Sequence, residues 1–177
     1  MFAVLVLIAV LLAIAIAAGL FVASRKPDTF QVQRKAVIAA PAEAIFPLIA
    51  DFHRWTGWSP WENKDPAMKR TFKGPASGAG AVYAWEGNRN VGAGQMEILE
   101  AVPSKIVIKL DFIKPFEGHN IAEFVLHPEG SSTEVVWTMH GPSTLMFKVM
   151  GLFMDCDKMI GKDFEAGLAG LRRLAAA

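Results

Sequence analysis

The chain has 177 residues, with 18 Lys+Arg against 17 Asp+Glu and a net charge of +1. The charges are mixed along the chain without a basic block, which removes the electrostatic reason to expect a nucleic-acid partner. The single cysteine, Cys156, cannot make an internal disulfide, has no partner cysteine for a metal site, and leaves the compartment open.

Residues Met1 to Ala23 carry no charged side chain, and Gly19 is the only one without an apolar side chain. At about 1.5 Å per residue, a helix of this length spans roughly the 30 Å hydrocarbon core of a bilayer. A core helix would show a polar face, and none is present. A cleaved signal would have a basic start and an apolar run of about 7 to 15 residues, whereas this run is longer. Ala15-Ile16-Ala17 and Val22-Ala23-Ser24 nevertheless offer small residues for cleavage. The expectation is a retained single-pass anchor over 1–24, a linker over 25–29 containing Pro27, and one domain over 30–177. Arg25, Lys26, Arg34 and Lys35 follow the span and none precedes it, which places the domain in the cytoplasm by the positive-inside rule. A periplasmic domain stays open, because the rule weakens when a whole folded domain follows. About 150 residues remain beyond the anchor, enough for one core.

Phe30, Val32, Ala36 and Ile38 alternate with Gln31, Gln33 and Lys35 as in a half-buried strand, with Arg34 breaking the pattern. Pro41 opens a short helix with Ile45, Phe46, Leu48 and Ile49 on its apolar face, and Pro47 should end or kink it early. Asp51 can cap a further short turn to Trp55. A loop with Gly57 and Pro60 follows and holds three of the five tryptophans: Trp55, Trp58 and Trp61. Strands are expected at 69–73, 79–86, 95–102 and 105–113, separated by Gly and Pro turns. In the last of these, Ile106, Ile108, Leu110 and Phe112 share one face. Ala122, Phe124 and Leu126 repeat the signal, a turn is expected at Pro128 to Ser131, and Val135, Trp137 and Met139 mark a final strand.

After Gly141-Pro142 the period changes. Ser143 or Thr144 can cap a long helix whose face holds Val149, Leu152, Cys156, Ile160, Phe164, Leu168 and Leu171, with a break near Gly151 or Gly161. The cluster Asp155, Asp157, Lys158, Lys162 and Asp163 reads as its solvated face, paired within the helix. An antiparallel sheet needs its apolar face covered, and the long helix is the obvious cover.

The element order, the run Ala39-Ala40-Pro41-Ala42-Glu43-Ala44-Ile45-Phe46, and Phe52-His53-Arg54-Trp55 leading to Trp58-Ser59-Pro60-Trp61 resemble the SRPBCC superfamily. This group includes START lipid-binding domains and polyketide cyclase/dehydrase-like proteins. Val82-Tyr83-Ala84-Trp85-Glu86-Gly87, Lys114-Pro115-Phe116 and Val136-Trp137-Thr138-Met139 are similar to its bacterial polyketide cyclase-like members. The resemblance covers roughly residues 30 to 174. It implies an α+β helix-grip (START-like) fold, with a curved antiparallel sheet around the long C-terminal helix and an apolar cavity between them. Fold analogy alone selects no reaction.

Trp58, Trp61, Tyr83, Trp85, Phe112 and Trp137 are the aromatic candidates for lining that cavity, since Trp joins a large apolar surface to one donor. The competing reading is core packing, strongest for Trp55. Met146, Met150 and Phe153 come from the stretch Leu145 to Met154, apolar nearly all round with Lys148 its lone charge. That stretch suits a cavity gate, a membrane contact or a protein interface. His53, His119, His127 and His140 form no metal motif, and Asp51 with His53 lacks same-face helical spacing. Ser59 lies in no nucleophile elbow, and the glycines from Gly74 to Gly94 form no phosphate loop. No catalytic residue, metal or cofactor is therefore expected. The functional expectation is a membrane-anchored domain binding an apolar ligand such as a lipid, sterol, quinone or polyketide-like molecule. The alternatives are an accessory subunit with a membrane-protein partner, and a cyclase or dehydratase. The enzyme reading requires an ionisable side chain on the concave face.

Overall fold

Within a bilayer, a lone apolar stretch can satisfy its own backbone groups only as a helix. The computed structural model, which describes residues 1–176, begins with such a helix, α1 (Phe2–Ser24). Ala177, the expected end of the domain, lies outside the described residues. No part of the apolar window of α1 is covered by protein, so α1 is not a core helix. It is long and apolar enough to cross a membrane, a description that a signal sequence also meets.

The alternating segments form β1 (Thr29–Ile38), β2 (Lys69–Lys73), β3 (Val82–Glu86), β4 (Ala93–Val102), β5 (Lys105–Lys114), β6 (Gly118–Glu129) and β7 (Ser132–Pro142). They make one curved antiparallel sheet in the order β1-β7-β6-β5-β4-β3-β2. In β6, Asn120, Ala122, Phe124 and Leu126 are buried, and in β7, Thr133, Val135, Trp137 and Met139. This period of two sets the concave face. Between β1 and β2 lie α2 (Ala42–Ala50), a 3-10 turn (Phe52–Gly57) and α3 (Pro60–Lys64); α4 (Leu145–Met150) and α5 (Cys156–Ala175) follow the sheet. The core sits between sheet and helices, with Phe52, Phe124 and Phe164 among its fully buried side chains. This is the helix-grip α+β fold.

Four local expectations change. Pro47 does not end α2, which runs on to Ala50; Leu48, Ile49 and Ala50 are buried, and the proline removes one helical bond. β6 continues through Pro128 and turns only at Gly130 and Ser131, Glu129 pairing with Ser132. β5 pairing stops at Val125, so Pro128 lies where β6 has become an edge, a place that tolerates the missing donor.

The third change concerns the C-terminal helix. Thr144 caps α4 by accepting from the Phe147 amide at 3.3 Å, the chain breaks at Gly151, and Asp155 caps α5 by accepting from the Lys158 amide at 3.0 Å. Val149 and Leu152 therefore do not belong to the long helix. Gly161 does not break α5; the Arg34 guanidinium occupies the space its side chain would need. Arg34 breaks the β1 alternation because it reaches across to α5.

Fourth, the acidic residues of α5 do not pair within the helix. Asp157 and Glu165 meet Arg34 at 2.8 and 3.0 Å, and Asp163 meets Lys64 at 2.7 Å. They flank the buried stripe and so face β1 and α3.

Candidate functional site

The short helices deliver the tryptophans. α2 ends with unpaired carbonyls, as every helix does. The Trp55 indole N–H donates to the Ile49 carbonyl and the Trp58 indole N–H to the Leu48 carbonyl, each at 2.9 Å. Both rings are 3 % exposed. These two tryptophans close the end of α2.

Trp137 projects from β7 into the centre of this cluster. Its ring stacks on Phe164 of α5 at 4.1 Å, nearly parallel, and on Phe124 of β6 at 4.7 Å. Trp58 and Trp61 meet it edge-on at 5.7 and 5.8 Å. α5 comes close enough for this because of two glycines. A Cβ at Gly167 would lie 2.7 Å from the Trp137 ring, and one at Gly170 would lie 2.5 Å from the Trp58 carbonyl oxygen. The space between sheet and α5, expected to be an open cavity, is filled here by stacked rings.

One polar atom in this stack has no partner. The Trp137 indole N–H is buried and, among the described residues, is the only buried side-chain polar atom left unbonded. Leaving such a donor unbonded costs about 1–3 kcal/mol, and an orphan of this kind often marks the place of a water or a ligand.

The rings continue along the sheet. Tyr83 lies 5.9 Å from Phe52 and 6.1 Å from Trp85, and Trp85 lies 6.0 Å from Phe112. Trp85 satisfies its indole N–H on the Val91 carbonyl at 3.0 Å. Tyr83 donates to one oxygen of Glu62 at 2.6 Å, and the Arg70 guanidinium pairs with the other at 2.7 Å. Burial, reinforced by the hydrogen bond to Glu62, pushes the Tyr83 phenol well above its ordinary range. Glu62 is thus an ionisable group on the concave side, with both oxygens engaged. Sequence reading missed Glu62 and Arg70. The available signal was parity: Arg70 shares a face with Met68 and Phe72, an inward position for a charge.

The methionine-rich residues form a second region. Met150 is half-buried, but Met146 is 53 % and Phe153 83 % exposed. Phe153 lines an open hollow of about 540 Å³ between the start of β1 and the α4–α5 turn, with Lys26, Phe30, Phe147, Leu152 and Cys156. The nine sequence candidates therefore divide into an aromatic interior and an exposed rim.

Two of the four histidines contact carboxylates. Asp51 accepts from the His53 amide and touches its imidazole at 2.9 Å, as an exposed cap of the 3-10 turn. His119 meets Asp111 at 2.8 Å and Glu117 at 3.3 Å on the surface, and those carboxylates raise its pKa above the ordinary 6.5. Among the described residues no group of three or more His, Cys, Asp or Glu side chains is placed to hold a metal ion.

The family described as "Polyketide cyclase / dehydrase and lipid transport" matches residues 29–176. Solved structures share the fold. The Chromobacterium violaceum protein CV1439 is 16 % identical at a TM-score of 0.59, over 86 % of this chain and 99 % of that one. A Rhizobium leguminosarum protein is 12 % identical at 0.60, over 84 % and 95 %. The di-domain ARO/CYC BexL of the BE-7585A biosynthetic pathway is 12 % identical at 0.61, over 88 % of this chain and 53 % of BexL. No curated protein matches the chain.

Proposed function

Because the chain belongs to the polyketide cyclase / dehydrase and lipid transport family, we propose that it is a membrane-anchored module holding an apolar ligand between the sheet and α5. α1 is the anchor, and Arg25 and Lys26 keep the domain on the cytoplasmic side. The ligand is apolar with one acceptor oxygen, as in a quinone, sterol, fatty acid or polyketide-like carbonyl compound. The observation that carries this reading is the unbonded Trp137 indole N–H among apolar rings. A site of this kind is mostly apolar, with a few polar groups that fix orientation. The ligand oxygen accepts from Trp137, while Trp61 and Phe164 shift to admit its body. Trp85, Tyr83 and Phe112 extend the apolar lining for a longer ligand.

The test is native mass spectrometry of the detergent-extracted chain, with tryptophan fluorescence titrations of quinone, sterol and fatty-acid probes. The expected result is a retained apolar adduct whose affinity falls about tenfold in Trp137→Phe, as for the loss of one hydrogen bond. No adduct and no fluorescence response to any probe would sink the proposal.

A second reading has one observation in its favour. Glu62, Tyr83 and Arg70 put a carboxylate and a phenol on the concave side, the requirement set for a cyclase or dehydratase. Each Glu62 oxygen already accepts one bond, from the Tyr83 hydroxyl and from the Arg70 guanidinium, so a substrate would compete with these for the carboxylate. Turnover of a polyketide-like carbonyl substrate that vanishes in Glu62→Gln would favour this second reading.

A further inference from the structure

We propose that α4 and the turn after it, Leu145 to Met154, rest on the bilayer surface as a second membrane contact beside α1. The occupant of this exposed apolar face is the headgroup–acyl boundary of the bilayer that α1 crosses. This inference rests on the reading of α1 as a span.

Four observations meet here. Leu145 is 54 %, Met146 53 %, Phe153 83 % and Met154 48 % exposed, a cluster too apolar to leave in water without a purpose. The one ionisable side chain in the stretch, Lys148, is 7 % exposed and pairs with Asp28 at 2.6 Å, so the segment shows solvent no charge of its own. The segment is held against the end of α1: Ala23 is fully buried there, and the Lys26 ammonium donates to the Gly151 carbonyl. Lys26 follows Ala23 by three residues, about 4.5 Å of helical rise, which sets it at headgroup level when α1 spans the bilayer.

An apolar face with no exposed charge of its own, fixed at that height and with the exposed Asp28 carboxylate at its headgroup edge, enters the interface as amphipathic helices do, with flexible Met and Phe side chains in the acyl boundary. Arg25 and Lys26 beside it face the phosphates. The same placement opens the hollow lined by Phe153 at the lipid boundary.

The test uses the full chain in nanodiscs of phosphatidylcholine and phosphatidylglycerol, with Cys156→Ser and a single spin label at Phe153→Cys, Met146→Cys or Ser131→Cys. Ser131 serves as the control. It lies in the β6–β7 turn, beyond the far end of β1, ten residues or about 33 Å from Thr29. Relaxation by oxygen, which partitions into lipid, is compared with relaxation by a water-soluble nickel chelate. The expected oxygen-to-nickel ratio at 153 and 146 is several-fold that at 131. A ratio at both sites equal to that at 131 overturns the inference, and labels shielded from both reagents overturn it in favour of a protein contact. Alkaline carbonate extraction separates the two levels. Release of the chain defeats the reading of α1 as a span, whereas retention with water-exposed labels defeats only the contact.

Discussion

The aromatic stack under α5 and the methionine-rich rim at α4 are built from the same kind of apolar residue and have opposite fates. In the stack, rings are buried and one donor is left without a partner. At the rim, apolar side chains are exposed and the one charge of the stretch, Lys148, is buried, paired with the exposed carboxylate of Asp28. Hydrophobicity alone therefore does not say where a residue works. The unusual polar group separates the two regions: an unbonded N–H lies inside the stack, and a buried lysine leaves the exposed side chains of the rim wholly apolar.

The contrast can be broken from the stack side first. Phe164→Ala should cost about 3–5 kcal/mol, because Phe164 is 1 % exposed and its loss leaves a cavity beside Trp137. For a chain of this size that is a fall in Tm of roughly 10 °C, read by fluorescence in detergent. Trp137→Phe removes the unbonded donor, worth about 1–3 kcal/mol, but also part of a ring packed against four others, so the two effects offset and stability without ligand should change by less than about 1.5 kcal/mol, while ligand affinity falls. A fall in Tm as large as that of Phe164→Ala would show that removing the donor brings no offsetting gain.

At the rim, Phe153→Ser should change Tm in detergent by less than about 0.5 kcal/mol equivalent, since nothing in the core depends on it. A larger fall would assign Phe153 to the fold. The smallest effect is at His119, an exposed side chain on β6. Its folded pKa is raised by the hydrogen bond to Asp111 and the contact with Glu117. The stability it adds is therefore complete below its unfolded pKa near 6.5 and is lost as pH rises through the higher folded value. An NMR titration of its ring should show a midpoint above 6.5 that moves down with salt, because the pair is exposed.

Much of the sheet was legible because alternation is a local signal: Ile106 to Phe112 and Val135 to Met139 announce their faces without a partner. The long helix was legible at Phe164, Leu168 and Leu171 for the same reason. Its start was not, because whether Gly151 or Gly161 breaks a helix depends on what occupies the adjacent space, and at Gly161 that is an arginine from β1. The aromatic candidates were named from residue type, but their grouping needed the register that sets Trp137 between Phe124 and Phe164. Glu62, Tyr83 and Arg70 lie on three elements, so their meeting is a property of the tertiary fold.

The junction between α1 and β1 is only Arg25 to Asp28, and three contacts fasten it. Lys26 donates to the Gly151 carbonyl, Asp28 pairs with Lys148, and the Ser143 amide donates to the Asp28 carbonyl at 2.7 Å. A tether of this kind has almost no reach, unlike a flexible linker whose span grows with the square root of its length. With α1 in a bilayer, the domain cannot sweep a hemisphere in search of a distant donor or acceptor. Encounters are then restricted to whatever diffuses laterally past it at one fixed height, so exchange rates should follow surface density in the membrane rather than concentration in the surrounding water.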